Sequence, residues 1–153
     1  TAVTHISAQA REITYKENDD LIKGVQYVAT LDARTTDICA SLDGKVFPIN
    51  EGSRPPMHHQ CRSTTVPVLA GFKELGLKEP LASTRSALDG QQAEKKTYYQ
   101  WLRNQDRFTQ NEAMGVSKAT AWRKAGRPGN IKTTDQLNRS LSPEQFEKQL
   151  ARG

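Results

Sequence analysis

The first part of the chain has apolar positions with a helical period. Val3, Ile6, Ala10 and Ile13 recur at spacings of three and four residues, and residues 1–17 contain no Gly or Pro. This spacing is typical of an amphipathic helix, in which one side is apolar and the other is solvated. We therefore predict one amphipathic helix over residues 1–17.

A polar break at residues 18–20 is followed by a different pattern. Val25, Tyr27, Ala29 and Leu31 are separated by single intervening residues. Because successive side chains of a strand point to opposite faces, this alternation predicts a strand with one buried face.

Two shorter β-prone segments follow, at residues 45–47 and 64–68. Asp43 and Gly44 suit a two-residue hairpin turn, since the central positions of such a turn require positive φ. Pro67 confines the second segment to the edge of a sheet, because proline has no N–H to donate. We expect one small antiparallel sheet, with the first helix packed on one of its faces.

The pattern weakens over residues 69–96. This stretch contains three glycines, a proline and only short apolar pieces around Phe72 and Leu75. Such a composition predicts a loop or linker with one helical turn.

Helix boundaries are marked again from Thr97 onward. Thr97 precedes an apolar helical pattern, while Asp106 and Ser117 are each placed to cap a further helix. Gly126 followed by Pro128 is typical of a helix end. We predict three helices between these residues.

A last helix should begin at Ser142. Pro143 occupies its first position and Gln145 its third, which is the arrangement of a capping box. Together the elements predict an α+β fold: an N-terminal helix on a small antiparallel sheet with a Cys/His knuckle, followed by a helical C-terminal tail. We divide the chain into a core (residues 1–70), a linker (71–96) and a basic helical tail (97–153).

Composition narrows the class of protein. A chain of 153 residues suits one domain, and an apolar share of 35% predicts a modest core. Two cysteines are too few for a disulfide framework of the secreted kind. Because no apolar run approaches 18 residues, we expect no membrane partner.

The net charge of +5 is concentrated in the C-terminal part. Residues 91–153 hold twelve Lys or Arg against six Asp or Glu, a net charge of +6. Such an excess attracts phosphate or an acidic protein surface, although basic residues also serve simply as a solvated face. The candidate contacts to DNA or to a partner are Arg103, Arg107, Lys118, Arg123 and Lys124.

Aromatic residues accompany these charges. Tyr98, Tyr99, Trp101 and Trp122 lie among basic residues, as in proteins that stack nucleic-acid bases. Tyr98, Trp101 and Leu102, however, fall at helical spacing, which a helix needs to dock on a core. We favour docking.

Candidate chemistry is concentrated in residues 32–67, which we call the knuckle. It contains both cysteines and two of the three histidines. The turn at residues 43–44 and the diproline at 55–56 should return the chain on itself and bring Cys39 close to Cys61. The two cysteines are then reduced, bound to a metal or joined in a disulfide.

A metal is one of these alternatives. Cys39, His58 and Cys61 offer ligands that zinc accepts, with His59 or Asp37 as candidates for a fourth position. The set is incomplete, and we expect the turn, the diproline and arginine contacts to hold the knuckle without metal. A cofactor is therefore not expected, and zinc is the alternative.

The knuckle resembles the Mu F-like minor head proteins of tailed phages and prophages, specifically their C-terminal module. The likeness extends to the segment around Trp101 and Leu102 in the tail. Family members often carry four cysteines in this region, and Thr36 and Ser63 stand at two of those four positions here. The motif residues outside the candidate metal set are Asp32, Arg34, Thr35, Asp43, Gly44, Pro56 and Arg62.

Two of these motif residues are arginines whose role can be predicted. A guanidinium group has five donors in a fixed fork that suits carboxylates. We expect Arg34 to tie the loop to carboxylates such as Asp32 or Asp43, and we expect the same kind of role for Arg62.

The resemblance implies a structural minor head protein, placed near the portal inside the procapsid, that assists head assembly and takes part in DNA packaging or ejection. It implies portal, scaffold or capsid proteins as partners, with packaged DNA as a further contact. The location it implies is the capsid interior of the virion, reached from the host cytoplasm during assembly. Because such proteins usually have a large region before this module, we expect the chain to be part of a longer protein.

Two other classes of function stay open. One is a small zinc- or DNA-binding module, and the other is an enzyme, either a metal-dependent hydrolase or a cysteine nucleophile paired with histidine. The sequence has no HExxH helix, no GxSxG turn and no phosphate-binding glycine loop. We therefore expect neither catalysis nor a small-molecule substrate.

Overall fold

The computed structural model describes residues 2–71, 76 and 84–152. The described residues form six helices and five strands. In chain order they are α1 (Ala2–Glu17), β1 (Ile22–Val28), α2 (Asp37–Leu42), β2 (Val46–Phe47), β3 (Thr64–Leu69), β4 (Thr84–Ala87), β5 (Gly90–Ala93), α3 (Tyr98–Leu102), α4 (Arg107–Met114), α5 (Val116–Lys124) and α6 (Pro143–Leu150).

The first three strands form the predicted antiparallel sheet, in the order β2-β1-β3. Val25 in the central strand lies opposite Phe47 on one side and Pro67 on the other. Pro67 therefore stands on an edge strand, as expected from its missing donor. The alternation predicted for residues 25–31 is confirmed, because its four apolar side chains are all buried.

Helix α1 packs on this sheet, but its apolar stripe faces away from the sheet. Val3, Ile6 and Ile13 are 76%, 64% and 62% exposed. Contact with the sheet is made by buried Tyr15, whose hydroxyl group donates to the Thr65 carbonyl oxygen at 3.1 Å. A helical period alone cannot tell which side packs, and here one tyrosine with a hydrogen-bond partner sets the orientation.

The hairpin predicted at Asp43 and Gly44 is wrong. The turn exists, since Lys45 N–H donates to the Leu42 carbonyl at 3.0 Å and Gly44 has φ of +79°. It connects helix α2 to strand β2, however, and not two strands. Thr36 caps this helix through a weak hydrogen bond from Cys39 N–H at 3.5 Å, which is the signal that the sequence interpretation missed.

The stretch predicted to be a linker contains a β-hairpin, formed by β4 and β5. It joins the core where Leu88 N–H donates to the Leu31 carbonyl at 2.9 Å. Its strands are short and contain few apolar residues, so no hydrophobic period marked them. The helical turn predicted around Phe72 and Leu75 lies outside the described residues, and the domain boundaries at residues 70 and 97 stay a prediction.

The capping predictions in the tail hold with one exception. Asp106 accepts a hydrogen bond from Thr109 N–H at 2.7 Å at the start of α4, and Ser142 caps α6. Ser117, by contrast, lies inside the first turn of α5, which begins at Val116 after Gly115. The predicted cap was two residues too late, because Gly115, with positive φ, ends α4 and is itself the N-cap of α5.

The tail aromatics form the largest core. Tyr98, Tyr99, Trp101, Trp122 and Phe146 are all buried and pack with Leu31, which follows β1, and with Ala40 of α2. The predicted docking is confirmed, and these rings are not available to stack on bases. The core of the tail thus reaches α2, while Cys39 and Cys61 lie in a separate apolar cluster.

Candidate functional site

The knuckle brings two thiols and one imidazole together. The Sγ atoms of Cys39 and Cys61 are 3.7 Å apart, and Nε2 of His58 lies 3.2 Å from Sγ of Cys39. The three ligand atoms all lie within 4.8 Å of one another. Both cysteines are free thiols with 1% and 4% of their surface exposed. The predicted approach of the two cysteines is confirmed.

Local structure explains this convergence. Cys39 lies in the first turn of α2, directly after the Thr36 cap. On the other side, Cys61 N–H donates to the His58 carbonyl at 3.2 Å, which closes a tight turn through Gln60 in the left-handed conformation. The helix start and the tight turn therefore aim their side chains at the same point.

A backbone contact fixes the tautomer of His58. Its Nδ1 atom lies 2.8 Å from the His59 carbonyl oxygen, which can only accept a hydrogen bond. Nδ1 therefore carries the proton, and Nε2 presents a lone pair to the thiols. Metal-binding histidines are usually oriented by this kind of contact. The His59 ring itself is exposed, and Asp37 is engaged elsewhere, by Lys118.

The surroundings affect the two thiols differently. Burial raises the pKa of Cys39 above its ordinary value. Burial alone would also raise the pKa of Cys61, but hydrogen bonds at the Met57 and Ser63 backbones outweigh it and lower the pKa. The hydroxyl of Tyr27 lies 3.2 Å from the Cys39 sulfur, and burial raises the pKa of this tyrosine. The cluster is thus a shielded site with polar neighbours.

The separation of the two sulfurs fits a zinc ion. With Zn–S bonds of about 2.3 Å, tetrahedral geometry separates two ligand sulfurs by roughly 3.8 Å. The observed separation is 3.7 Å. Three candidate protein ligands are present, and hydroxyl groups of Thr36 and Ser63 stand beside Cys39. A cavity of about 20 Å³ beside the cluster has room for about one water as a fourth ligand.

The Cys39 and His58 pair also resembles a nucleophile and its base. The thiol, however, is almost completely buried, so a substrate could not reach it in this conformation. The geometry therefore favours a structural or metal-binding use of the pair over a catalytic one.

The arginine contacts of the knuckle differ from the expected ones. Asp32 pairs with Arg62, whose Nη2 lies 2.8 Å from Oδ1 while Nη1 contacts Oδ2. Arg34 contributes only its backbone N–H, which donates to Asp32 Oδ1 at 3.0 Å. The two-pronged guanidinium contact predicted for Arg34 is thus made by Arg62, for which the same kind of role was expected. The two arginines looked equivalent in the sequence, and only the chain path distinguishes them.

Asp43 has the densest set of contacts in the motif. Its buried carboxylate accepts hydrogen bonds from the backbone N–H groups of Ala29 and Tyr98, both at 2.7 Å. Both terminal nitrogens of Arg85 donate to it at 2.9 Å. This residue therefore joins the end of β1, the β4–β5 hairpin and the start of α3. Sequence reasoning missed Arg85, because nothing local marks a partner 42 residues away.

The remaining motif residues shape the backbone. The Thr35 hydroxyl donates to the Thr30 carbonyl at 2.6 Å and so closes the loop after β1. Gly44 provides the left-handed position of the turn after α2, and Pro56 follows a cis peptide bond to Pro55.

The pairing of Asp32 gives a prediction about pH. Burial would raise the pKa of Asp32, but the hydrogen bond and charge of Arg62 outweigh it, so the folded pKa lies below its ordinary value. This stabilisation is present above about pH 4 and is lost as pH falls through the folded pKa. Because Arg62 is partly exposed, we expect Asp32→Asn to cost about 1 kcal/mol at pH 7 and progressively less as pH falls below about 4, measured by urea unfolding.

A matched control is available nearby. Asp20 is exposed, and the difference in unfolding free energy between Asp20→Asn and the wild type should not depend on pH in this way. A stability loss for Asp32→Asn that does not decrease as pH falls below about 4 would contradict the assigned role of the ion pair.

The candidate contacts of the tail fall into two groups. Lys118 binds Asp37 at 2.9 Å, and Arg123 is held by neutral acceptors between α4 and α5. Arg103, Arg107 and Lys124 are exposed. Lys118 therefore ties α5 to the knuckle, while the other four leave their charges without a carboxylate partner among the described residues.

The fold and site together define a small α+β protein with a buried Cys₂His cluster. Residues 1–66 match the family model described as Phage Mu protein F like protein. This match over the N-terminal part of the chain confirms the resemblance to Mu F-like phage proteins and indicates a phage head-related protein. No curated protein and no solved structure matches the chain.

The helices give no indication of a membrane span. Within the described ranges, none is long and apolar enough to cross a bilayer.

Proposed function

We propose that the chain is a structural minor head protein that acts near the portal inside the procapsid, assists head assembly, and contacts packaged DNA during packaging or ejection. The family match over residues 1–66 is the observation that supports this most strongly. In this role its partners are portal, scaffold or capsid proteins, and its location is the virion interior after assembly in the host cytoplasm.

Surface features support a role in assembly. The apolar side chains Val3, Ile6 and Ile13 form an exposed stripe along α1, and such stripes often mark contacts between proteins. The buried Cys39 thiol argues against a cysteine enzyme, and we propose that the chain is not a catalyst.

Co-purification tests the proposed partner. The chain should be co-expressed with the tagged portal protein of the same phage, and separately with its tagged major tail protein as a control. We expect the chain to co-elute with the portal oligomer at physiological salt and to be absent from the tail-protein eluate. Elution with neither the portal nor the scaffold or capsid proteins would overturn the proposal.

A specific observation favours a second, compatible function for the knuckle. A bound zinc ion requires both the sulfur separation of 3.7 Å and the His58 tautomer, whereas a metal-free knuckle requires neither of these features. We propose that Cys39, His58 and Cys61 hold a structural zinc, which cross-links α2 to the turn before β3. The metal-free knuckle expected from the sequence is the competing account.

A further inference from the structure

Helices α4 and α5 line a groove that neither the assembly role nor the zinc site uses, and any use of it rests on the DNA contact of the proposed function. Its volume is about 580 Å³, and every lining residue is polar. Four of the eight lining residues are basic. The lining comprises Gln105, Asp106, Arg107, Gln110, Thr120, Arg123, Lys124 and Arg127.

The four cations have no acidic partner in the part of the chain that the structure describes. None of them takes part in the five ion pairs among the described residues. Arg123 is instead fixed by neutral oxygens, with Gln110 Oε1 at 3.2 Å and Asn111 Oδ1 at 3.1 Å. Arg127 donates to the Arg103 carbonyl at 3.3 Å. Two guanidinium groups are therefore held in place while their charges stay uncompensated.

The acidic residue of the groove is already engaged. Asp106 accepts the hydrogen bond from Thr109 N–H that caps α4. Its charge still counts, so the groove has a net charge of +3 over its eight lining residues. By contrast, Arg54, Arg62 and Arg85 are all paired with carboxylates. Four cations without a carboxylate partner thus meet at this groove, whereas others, such as Lys132 and Lys148, lie singly on the surface.

A structural explanation of these charges must be considered. Arg123 and Lys124 lie in the last turn of α5, where cations interact favourably with the helix dipole. That role does not account for Arg107, which stands at the start of α4, where a cation is unfavourable. Two basic groups from α5, one from α4 and one from the following loop meet at one groove, which points to a shared ligand.

The chemistry of the lining indicates what that ligand is. Protein–protein interfaces have a core with apolar or aromatic anchors, and this groove has no apolar residue. Arginine and lysine accompanied by glutamine and threonine donors are typical of phosphate contacts. We propose that the α4–α5 groove binds the phosphodiester backbone of nucleic acid, with Arg107, Arg123, Lys124 and Arg127 as the phosphate contacts.

Salt dependence of binding tests this site. Affinity of the full chain for a random 20-base-pair duplex should be measured by fluorescence anisotropy between 50 and 200 mM NaCl. Each phosphate contact contributes about 0.9 to the slope of log K against log salt for duplex DNA. We expect the variant R107A/K124A/R127A to lose about 2.7 from the slope. Arg123 stays intact in this variant because it connects α4 with α5.

Two further variants separate local from general charge effects. K132A/K148A/R152A removes the same charge from exposed positions outside the groove and should change the slope by less than about 1. R107K/K124R/R127K keeps the charges and should retain the wild-type slope. Circular dichroism should show that all variants keep their helix content, so that a lost slope reports on binding.

The remaining outcomes decide the proposal. If a single-stranded oligonucleotide binds and loses affinity in the same groove variants, the groove recognises the backbone of both single-stranded and duplex nucleic acid. If the single strand binds more weakly than the duplex, the ligand of the groove is duplex DNA. Absence of binding at 50 mM salt, or equal losses in both alanine triples, would overturn the site. Displacement of DNA by polyglutamate at equal charge concentration would also overturn it and indicate an acidic protein partner. Since the assay contains no portal, its failure would remove the DNA contact but leave the proposed role in head assembly near the portal standing.

Discussion

Replacement of Asp43 by alanine is expected to destabilise the protein by about 3–5 kcal/mol, the usual cost of breaking a buried ion pair from one side. The Asp43 side chain is fully buried and accepts four hydrogen bonds. Its removal leaves the Arg85 guanidinium and two backbone N–H groups without their acceptor, and each buried unsatisfied donor costs about 1–3 kcal/mol. Urea unfolding monitored by tryptophan fluorescence measures the effect.

Controls distinguish this role from a general effect of charge. Asp19→Ala removes an exposed carboxylate and should change stability by less than about 0.5 kcal/mol. Asp43→Ala and Arg85→Met should be strongly non-additive, because the two side chains contact each other directly. A loss below about 1 kcal/mol for Asp43→Ala would contradict its role as the joint between sheet, hairpin and tail.

The purified protein is expected to contain about one zinc ion per chain. Free zinc at a concentration of about a thousand times the Kd of the site stabilises the folded state by about 4 kcal/mol. For a protein of this size that corresponds to a fall of roughly 10 °C in Tm when EDTA removes the metal. Elemental analysis by mass spectrometry and thermal unfolding with and without chelator provide the two measurements.

Variants of the cluster locate the metal. Cys39→Ser, Cys61→Ser and His58→Ala should each lose most of the zinc, because each removes one of three protein ligands. His59→Ala is the matched control, since His59 contributes only a backbone carbonyl and should retain the metal. Metal-free protein whose Tm does not change on addition of zinc or EDTA would restore the metal-free knuckle.

Local features of the fold were predictable from the sequence. The alternation across residues 25–31 gave the buried face of β1, because burial on one side imposes a period of two on any strand. The helix starts at Asp106 and Ser142 were also predictable, since a cap bonds to backbone two or three residues away. The convergence of Cys39 and Cys61 was also predicted, although the start of α2 and the turn at Gln60 produce it and not a hairpin at residues 43–44.

Features that depend on distant partners were not predictable. The orientation of α1 depends on the contact between Tyr15 and Thr65, 50 residues apart. Asp43 was identified as a motif residue, but its partner Arg85 lies in a stretch with no periodic pattern. The choice of Arg62 over Arg34 depends on the path of the backbone after Cys61. Local periodicity contains no information about such long-range pairs.

The composition of purified phage heads tests the central proposal most directly. DNA-free procapsids and mature heads should be isolated from the phage or prophage that encodes this chain and quantified by mass spectrometry against the portal and the major capsid protein. A minor head protein near the portal predicts that the chain is present in both particles, in far fewer copies than the capsid protein. Its absence from both particles, while it accumulates in the cell lysate, would contradict the proposed function.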